Sequence, residues 1–179
     1  HDTSAGHPPS GTQFRIAHGQ LTATITEVGA AVREFRSGEH DVFQSYGEAE
    51  FSSGFHGSVL IPWPNRLADG QYQFDGVDYQ VAITEPSRMT ALHGLSPWRP
   101  WSVVHYGDDR VSLRLELLPS PGYPFCVDTV VDYQLTADGL RVTTTSRNTG
   151  TVACPYAVGF HPYLSSGDAT RDEKKQALT

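Results

Sequence analysis

Apolar and polar side chains alternate along most of this chain at the two-residue period of a strand that buries one face. The pattern starts at Phe14-Arg15-Ile16, breaks at His18-Gly19, and resumes over Leu21-Thr22-Ala23-Thr24-Ile25-Thr26. Val32-Arg33-Glu34-Phe35 and Val42-Phe43 flank a turn at Ser37-Gly38-Glu39. Tyr72-Gln73-Phe74 and Val77-Asp78-Tyr79-Gln80-Val81 are joined by Asp75-Gly76, a dipeptide suited to a hairpin bend. Segments 101–106 and 111–118 pair around Gly107-Asp108-Asp109, and segments 126–135 and 140–145 around Thr136-Ala137-Asp138-Gly139. A last strand is expected over 151–160.

No amphipathic helical period precedes residue 165, and strands follow one another at short spacing. The expected fold class is therefore all-β, an antiparallel β-sandwich. The 17 glycines and 12 prolines supply the turns that such a fold needs. At 179 residues the chain has the length of one domain. Residues 1–11, rich in Ser, Gly, Pro and His, read as a flexible leader; 12–164 form the sandwich; 165–179 form a polar, charged tail expected to be disordered.

A formal net charge of −7 disfavours nucleic acid and anionic membrane surfaces as partners. No apolar stretch approaches the ~18 residues a membrane span requires. Cys126 and Cys154 lie in apolar surroundings and read as free thiols rather than a disulfide framework, which favours a reducing, cytoplasmic location.

Three clusters carry candidate chemistry. In Leu60-Ile61-Pro62-Trp63-Pro64-Asn65-Arg66, two prolines stiffen the segment that delivers Asn65 and Arg66. A guanidinium can grip two neighbouring oxygens, and an amide both donates and accepts, as a sugar hydroxyl does. In Ala91-Leu92-His93-Gly94, the glycine permits a bend that exposes the imidazole, and Trp98 and Trp101 follow within loop reach. Indole faces stack on the apolar C–H face of a pyranose. In Gly159-Phe160-His161-Pro162-Tyr163-Leu164, a histidine at a strand end has a proton affinity suited to transfer near neutrality. Each cluster also has a plain structural alternative: Arg66 paired with a surface carboxylate, His93 satisfied in the core, and Tyr163 packed beneath a turn histidine.

Other chemistries fit less well. His56, His93 and His161 lack the close pairing of a zinc site, so no metal is expected. There is no Gly-x-Ser-x-Gly elbow, no activating neighbour for either cysteine, and no phosphate-cradling glycine loop.

Taken in order, Pro62 to Arg66, then Leu92-His93-Gly94 with Trp98 and Trp101 downstream, then His161-Pro162-Tyr163, the chain resembles the aldose 1-epimerases, or galactose mutarotases, from about residue 13 to 164. The resemblance implies a galactose mutarotase-like supersandwich and the interconversion of α and β anomers of a hexose such as glucose or galactose. It implies that Arg66 and Asn65 bind sugar hydroxyls, that His93 contacts the substrate near the ring oxygen, and that His161 protonates that oxygen. Trp98 and Tyr163 complete the expected substrate-binding set. No metal and no organic cofactor is implied.

The chain also departs from that pattern. Family members run to roughly double its length, with a general base, a Glu, near the C-terminus. Here only Asp172 and Glu173 lie beyond Asp168, in a charged run without an apolar frame. The expectation is an incomplete sandwich with open edges, a truncated form with little mutarotase activity. The alternative is a non-catalytic carbohydrate-binding β domain. A hexose-6-phosphate epimerase would need more basic residues around the site than Arg66 and Arg99.

Overall fold

The computed structural model describes residues 6–166. Alternation becomes strands as the sequence predicts. The first antiparallel sheet comprises β1 (Gln13–His18), β2 (Leu21–Thr26), β3 (Val32–Ser37) and β4 (His40–Asp41) in that order. Five short strands follow: β5 (Val59–Leu60), β6 (Arg66–Ala68), β7 (Gln71–Phe74), β8 (Val77–Gln80) and β9 (Thr90–Leu92). A second four-stranded sheet has β10 (Ser102–Tyr106), β11 (Arg110–Leu117), β12 (Val127–Thr136) and β13 (Gly139–Asn148), again in sequential order. β14 (Gly159–Phe160) closes the list by pairing with β5. Among the described residues the helical elements are two single 3₁₀ turns, Ser53–Phe55 and Pro86–Arg88.

The core lies between the two large sheets. On β12, Val127, Thr129, Val131, Tyr133 and Leu135 are buried while the residues between them are half-exposed. β1 and β2 pack against this layer and contribute Phe14, Ile16, Ala23 and Ile25, and β11 adds Val111, Leu113, Leu115 and Leu117. Each fully buried large aliphatic or aromatic side chain contributes roughly 1.5–3 kcal/mol. The outer face of the second sheet is polar, with Arg110 and Arg114 on β11 bonded to Asp132 and Asp128 on β12, both at 2.6 Å. Antiparallel, nearly all-β layering of this kind is the sandwich that the alternation predicts.

Three expectations need correction or restriction. The strand expected over 151–160 is formed only at Gly159–Phe160. Pro155 has no N–H to give a ladder, and the amide of Ala157 donates instead to the carbonyl of Pro62 at 2.7 Å. Within the expected leader, Ser10 is buried and accepts a bond from Val28, so the chain is fastened from there; residues 1–5 lie outside the described residues. In the expected tail, Ser165 donates to the Val42 carbonyl at 2.9 Å, and 167–179 lie outside the described residues. Cys126 and Cys154 are free and half-buried. Among the described residues β13 pairs with β12 on one side only, and it is exposed along most of its length.

Candidate functional site

The three sequence clusters meet through short strands that alternation cannot reveal. β6 pairs with β9 so that Arg66 lies opposite Leu92, which brings Asn65-Arg66 beside His93. β5 pairs with β14, which brings residues 58–60 beside His161; the amide of His161 donates to the Ser58 carbonyl at 3.2 Å, and the amide of Gly57 donates to the His161 carbonyl at 2.9 Å. His93 and His161 end with ring centroids 5.2 Å apart and planes at 88°.

The backbone at this junction is held in an unusual conformation. Asn65, His93 and Phe55 all adopt positive φ, at 64°, 61° and 60°. Asn and His are the non-glycine residues that tolerate this region best, whereas Phe does not, and such conformations cost about 1–3 kcal/mol each. Gly94 (φ 75°) is fixed by packing as well as by conformation. A Cβ there would lie 2.2 Å from the Ile61 carbonyl oxygen.

Two hydrogen bonds lock the pair. The amide of Asn65 donates to Nδ1 of His93 at 3.0 Å, and the amide of His93 donates to the Asn65 carbonyl at 2.9 Å. An Nδ1 that accepts is unprotonated, so neutral His93 carries its proton on Nε2. Burial, then the neighbouring His161 and Arg66, hold its proton affinity below the ordinary imidazole value.

Arg66 is gripped by Glu85. Nε donates to Oε2 at 2.6 Å and Nη2 to Oε1 at 3.0 Å, while Nη1 lies 3.4 Å from Asn65 Oδ1. Bonds from Arg66 and Thr90 hold the Glu85 carboxyl down at about 2. The structural alternative for Arg66, a surface ion pair, is thus real, and it coexists with proximity to His93.

Aromatic rings wall the cluster. Phe55 packs edge-on to His93 at 4.7 Å and lies 5.1 Å from Trp98. Trp98 is 46% exposed and stacks on Phe51 at 5.2 Å. Trp101, by contrast, is buried in the core. On the other side, Tyr163 stacks on His161 at 5.1 Å and on His56 at 3.9 Å, and its hydroxyl donates to the Gly54 carbonyl at 3.0 Å. Burial, opposed by a hydrogen bond from His56 to the Gln44 backbone, keeps the proton affinity of His56 low.

All six sequence candidates therefore fall in one neighbourhood: Asn65, Arg66 and His93 by direct contact, His161 against His93, Tyr163 beneath His161, and Trp98 through Phe55. Sequence reasoning missed Glu85, Phe51 and Phe55. Glu85 sits in Thr84-Glu85-Pro86-Ser87-Arg88, a turn with no signal of its own, and Phe55 reads as an ordinary apolar residue. Among the described residues no group of three His, Cys, Asp or Glu side chains is arranged to hold a metal ion.

The pattern that defines the aldose 1-epimerase family matches residues 12–177. The chain belongs to the aldose 1-epimerase family. It is 44% identical over 166 residues to the uncharacterized protein YihR of Escherichia coli, covering 92% of this chain and 54% of that protein. It is 28% identical over 130 residues to an aldose 1-epimerase of the same organism, covering 70% of this chain and 37% of that enzyme. The crystal structure of a GalM/aldose epimerase homologue from C. elegans superposes with a TM-score of 0.74 at 22% identity, covering 89% of this chain and 52% of that one, which establishes the fold. This epimerase-family chain thus spans about half the length of the relatives it matches.

Proposed function

We propose that this chain carries the sugar-binding and acid side of an aldose 1-epimerase site acting on a hexose such as glucose or galactose. The observation that carries the reading is the convergence of His93 and His161, 5.2 Å apart, beside Arg66 and under an aromatic wall. Opening a hemiacetal ring requires a proton on the ring oxygen and removal of the proton on the C1 hydroxyl. The aldehyde then rotates about C1–C2 and recloses on its other face, so no atom is gained or lost. In this reading His161 delivers the proton to the ring oxygen, a step that contributes roughly 10²–10⁴-fold. His93, neutral with Nε2–H free, donates to the same region. Arg66 and Asn65 hold ring hydroxyls, and Trp98 and Tyr163 offer flat faces to the sugar.

The site also needs a base for the C1 proton. Glu85, the carboxylate that reaches this cluster, is committed to Arg66 and stays ionised with its oxygens occupied. That commitment favours a second reading, a carbohydrate-binding β domain that turns nothing over. The two readings separate cleanly. Calorimetry with D-glucose and D-galactose reports binding, and polarimetry on freshly dissolved α anomers reports turnover. Saturable binding with a slow or flat optical rotation is the expected result for this chain alone. Absence of saturable binding at sugar concentrations in the tens of millimolar range removes the sugar-site assignment altogether. On the two free thiols we further assign the protein to a reducing, cytoplasmic compartment.

A further inference from the structure

We propose that Glu85 is the positioning residue of this site: its carboxylate fixes the plane of the Arg66 guanidinium and so sets the direction of the donors left for a ligand. The inference rests on the reading that the cluster binds a sugar. It begins from geometry. A guanidinium has five donors in one plane, and Glu85 takes one on Nε and one on Nη2 in a fork-to-fork arrangement. With that edge clamped, rotation about the last side-chain bonds stops. The remaining donors, on Nη1 and Nη2, point along fixed directions, and Nη1 already faces Asn65 Oδ1.

Glu85 is itself clamped. Thr90 Oγ1 donates to Oε2 at 2.8 Å. The amide of Glu85 donates to the Thr90 carbonyl at 2.9 Å, and the amide of Thr90 donates back to the Glu85 carbonyl at 3.2 Å. Thr90 opens β9, the partner of β6, and Arg66 opens β6. Acceptor and donor are therefore referenced to the same strand pair. Arg88 lies 3.7 Å from Oε1 and adds to the positive charge around the carboxylate.

Stability alone does not account for this arrangement. The side chains of Arg66 and Glu85 are 37% and 20% exposed, and ion pairs in contact with solvent contribute little to folding. A bidentate pair, braced by a hydroxyl and a two-way backbone link at the mouth of a binding cluster, has orientation as its product. Pre-setting a flexible arginine lowers the ordering cost paid on binding. Glu85 also offsets the Arg66 charge felt by His93, so it tunes the second anchor while it aims the first.

The test uses Glu85→Gln and Glu85→Asp in the full chain. Three quantities are read: affinity for D-galactose and D-glucose, the ¹⁵N–¹H resonance of Arg66 Nε, and the titration of the His93 imidazole. Glu85→Gln is expected to weaken sugar binding about tenfold, the effect of losing a charge-assisted bond. It should also broaden the Arg66 Nε–H signal by solvent exchange and move the His93 titration to lower pH, with the melting temperature little changed. Glu85→Asp, charged but one methylene short, is expected to give an intermediate affinity and a partly protected Nε–H, and it carries the test if Glu85→Gln does not fold. The proposal is overturned if sugar affinity and the Arg66 Nε–H signal match wild type in Glu85→Gln, or if Glu85→Asp restores both fully, since charge alone then suffices. A wild-type chain that binds neither sugar overturns the sugar-site reading instead, while the Arg66 signal still reports whether Glu85 fixes the guanidinium.

Discussion

The main chain of Asn65 and His93 close a ring of two hydrogen bonds: the Asn65 amide donates to the His93 imidazole Nδ1 at 3.0 Å, and the His93 backbone amide donates to the Asn65 carbonyl at 2.9 Å. This ring decides what His93 can do. Protonating Nδ1 destroys one of the two bonds, and burial and neighbouring positive charge oppose the imidazolium as well. His93 is therefore built as a neutral donor through Nε2, which in the proposed reading leaves proton delivery to His161.

The first prediction follows from that division of labour. By NMR, the His93 imidazole titrates below 6.5, and sugar affinity contributed by His93 is fully present above that pH and declines as the pH falls through the lowered value. Replacing His93→Gln removes one neutral hydrogen bond and is expected to cost about 1 kcal/mol of binding, roughly fivefold in Kd by calorimetry. A His93 that titrates above 6.5 contradicts the assigned tautomer.

A second prediction concerns stability against pH. Burial holds the proton affinity of His56 below the ordinary imidazole value, and its Nε2 is buried with no hydrogen-bond partner among the described residues. Its folded-state proton affinity lies below the unfolded 6.5, so acidification protonates the unfolded chain first. The stabilisation is complete above pH 6.5 and is lost as the pH falls through the lower, folded value. Melting temperatures measured from pH 7.5 down to pH 5 are expected to fall in wild type and to fall less steeply in His56→Phe, which keeps a ring against Tyr163 without the titrating nitrogens.

How much of this was legible in the sequence follows from the length of each element. Ten-residue strands such as β12 show their period because five inward positions repeat, and the longer strands of both four-stranded sheets could be read from alternation and turns, whereas β4 falls at His40–Asp41 and not at the expected Val42-Phe43. The site is built by β5, β6, β9 and β14, of two or three residues each, and a period cannot be seen in so short a run. The candidate residues were visible through their chemistry instead, as histidines and an arginine beside rigid turn residues. Glu85 was not, because what makes it important is a partner nineteen positions away across a strand pair. Phe55 was not, because its role depends on a positive φ that its residue type does not announce.

Trp98 supplies a third prediction. It is the exposed member of the three tryptophans, whereas Trp101 is buried and Trp63 is half-buried. A sugar seated against its free indole face is expected to change the intrinsic fluorescence saturably. Trp98→Ala should abolish that change and weaken binding by about 1 kcal/mol, roughly fivefold. A fluorescence response that survives in Trp98→Ala places the ligand elsewhere.

The fourth prediction tests the turn that carries His93. At φ 75°, Gly94 occupies backbone space that other residues enter at a cost, and its missing side chain leaves room for the Ile61 carbonyl. Gly94→Ala puts a methyl group 2.2 Å from that oxygen, so the turn must move and His93 moves with it. The expected loss exceeds about 2 kcal/mol in stability, seen as a lower denaturation midpoint, together with loss of sugar binding.

The last prediction concerns the joint between the two sheets. Tyr133, on β12, is fully buried, and its hydroxyl donates to the carbonyl of Ala30, in the bend between β2 and β3, at 2.6 Å. Burial pushes the phenol above its ordinary proton affinity. Tyr133→Phe keeps the ring and its packing but leaves the Ala30 carbonyl without this donor in a dry interior. A buried acceptor left unpaired costs about 1–3 kcal/mol. Urea denaturation is expected to show a drop of that size with an unchanged slope, because the surface exposed on unfolding is the same. Ala30 precedes Ala31 and Val32, and the Val32 amide donates to Gly57 next to the histidine cluster, at 3.1 Å. A stability loss without any change in sugar affinity therefore assigns Tyr133 to the joint alone, whereas a parallel loss of affinity shows that the joint sets the position of the cluster.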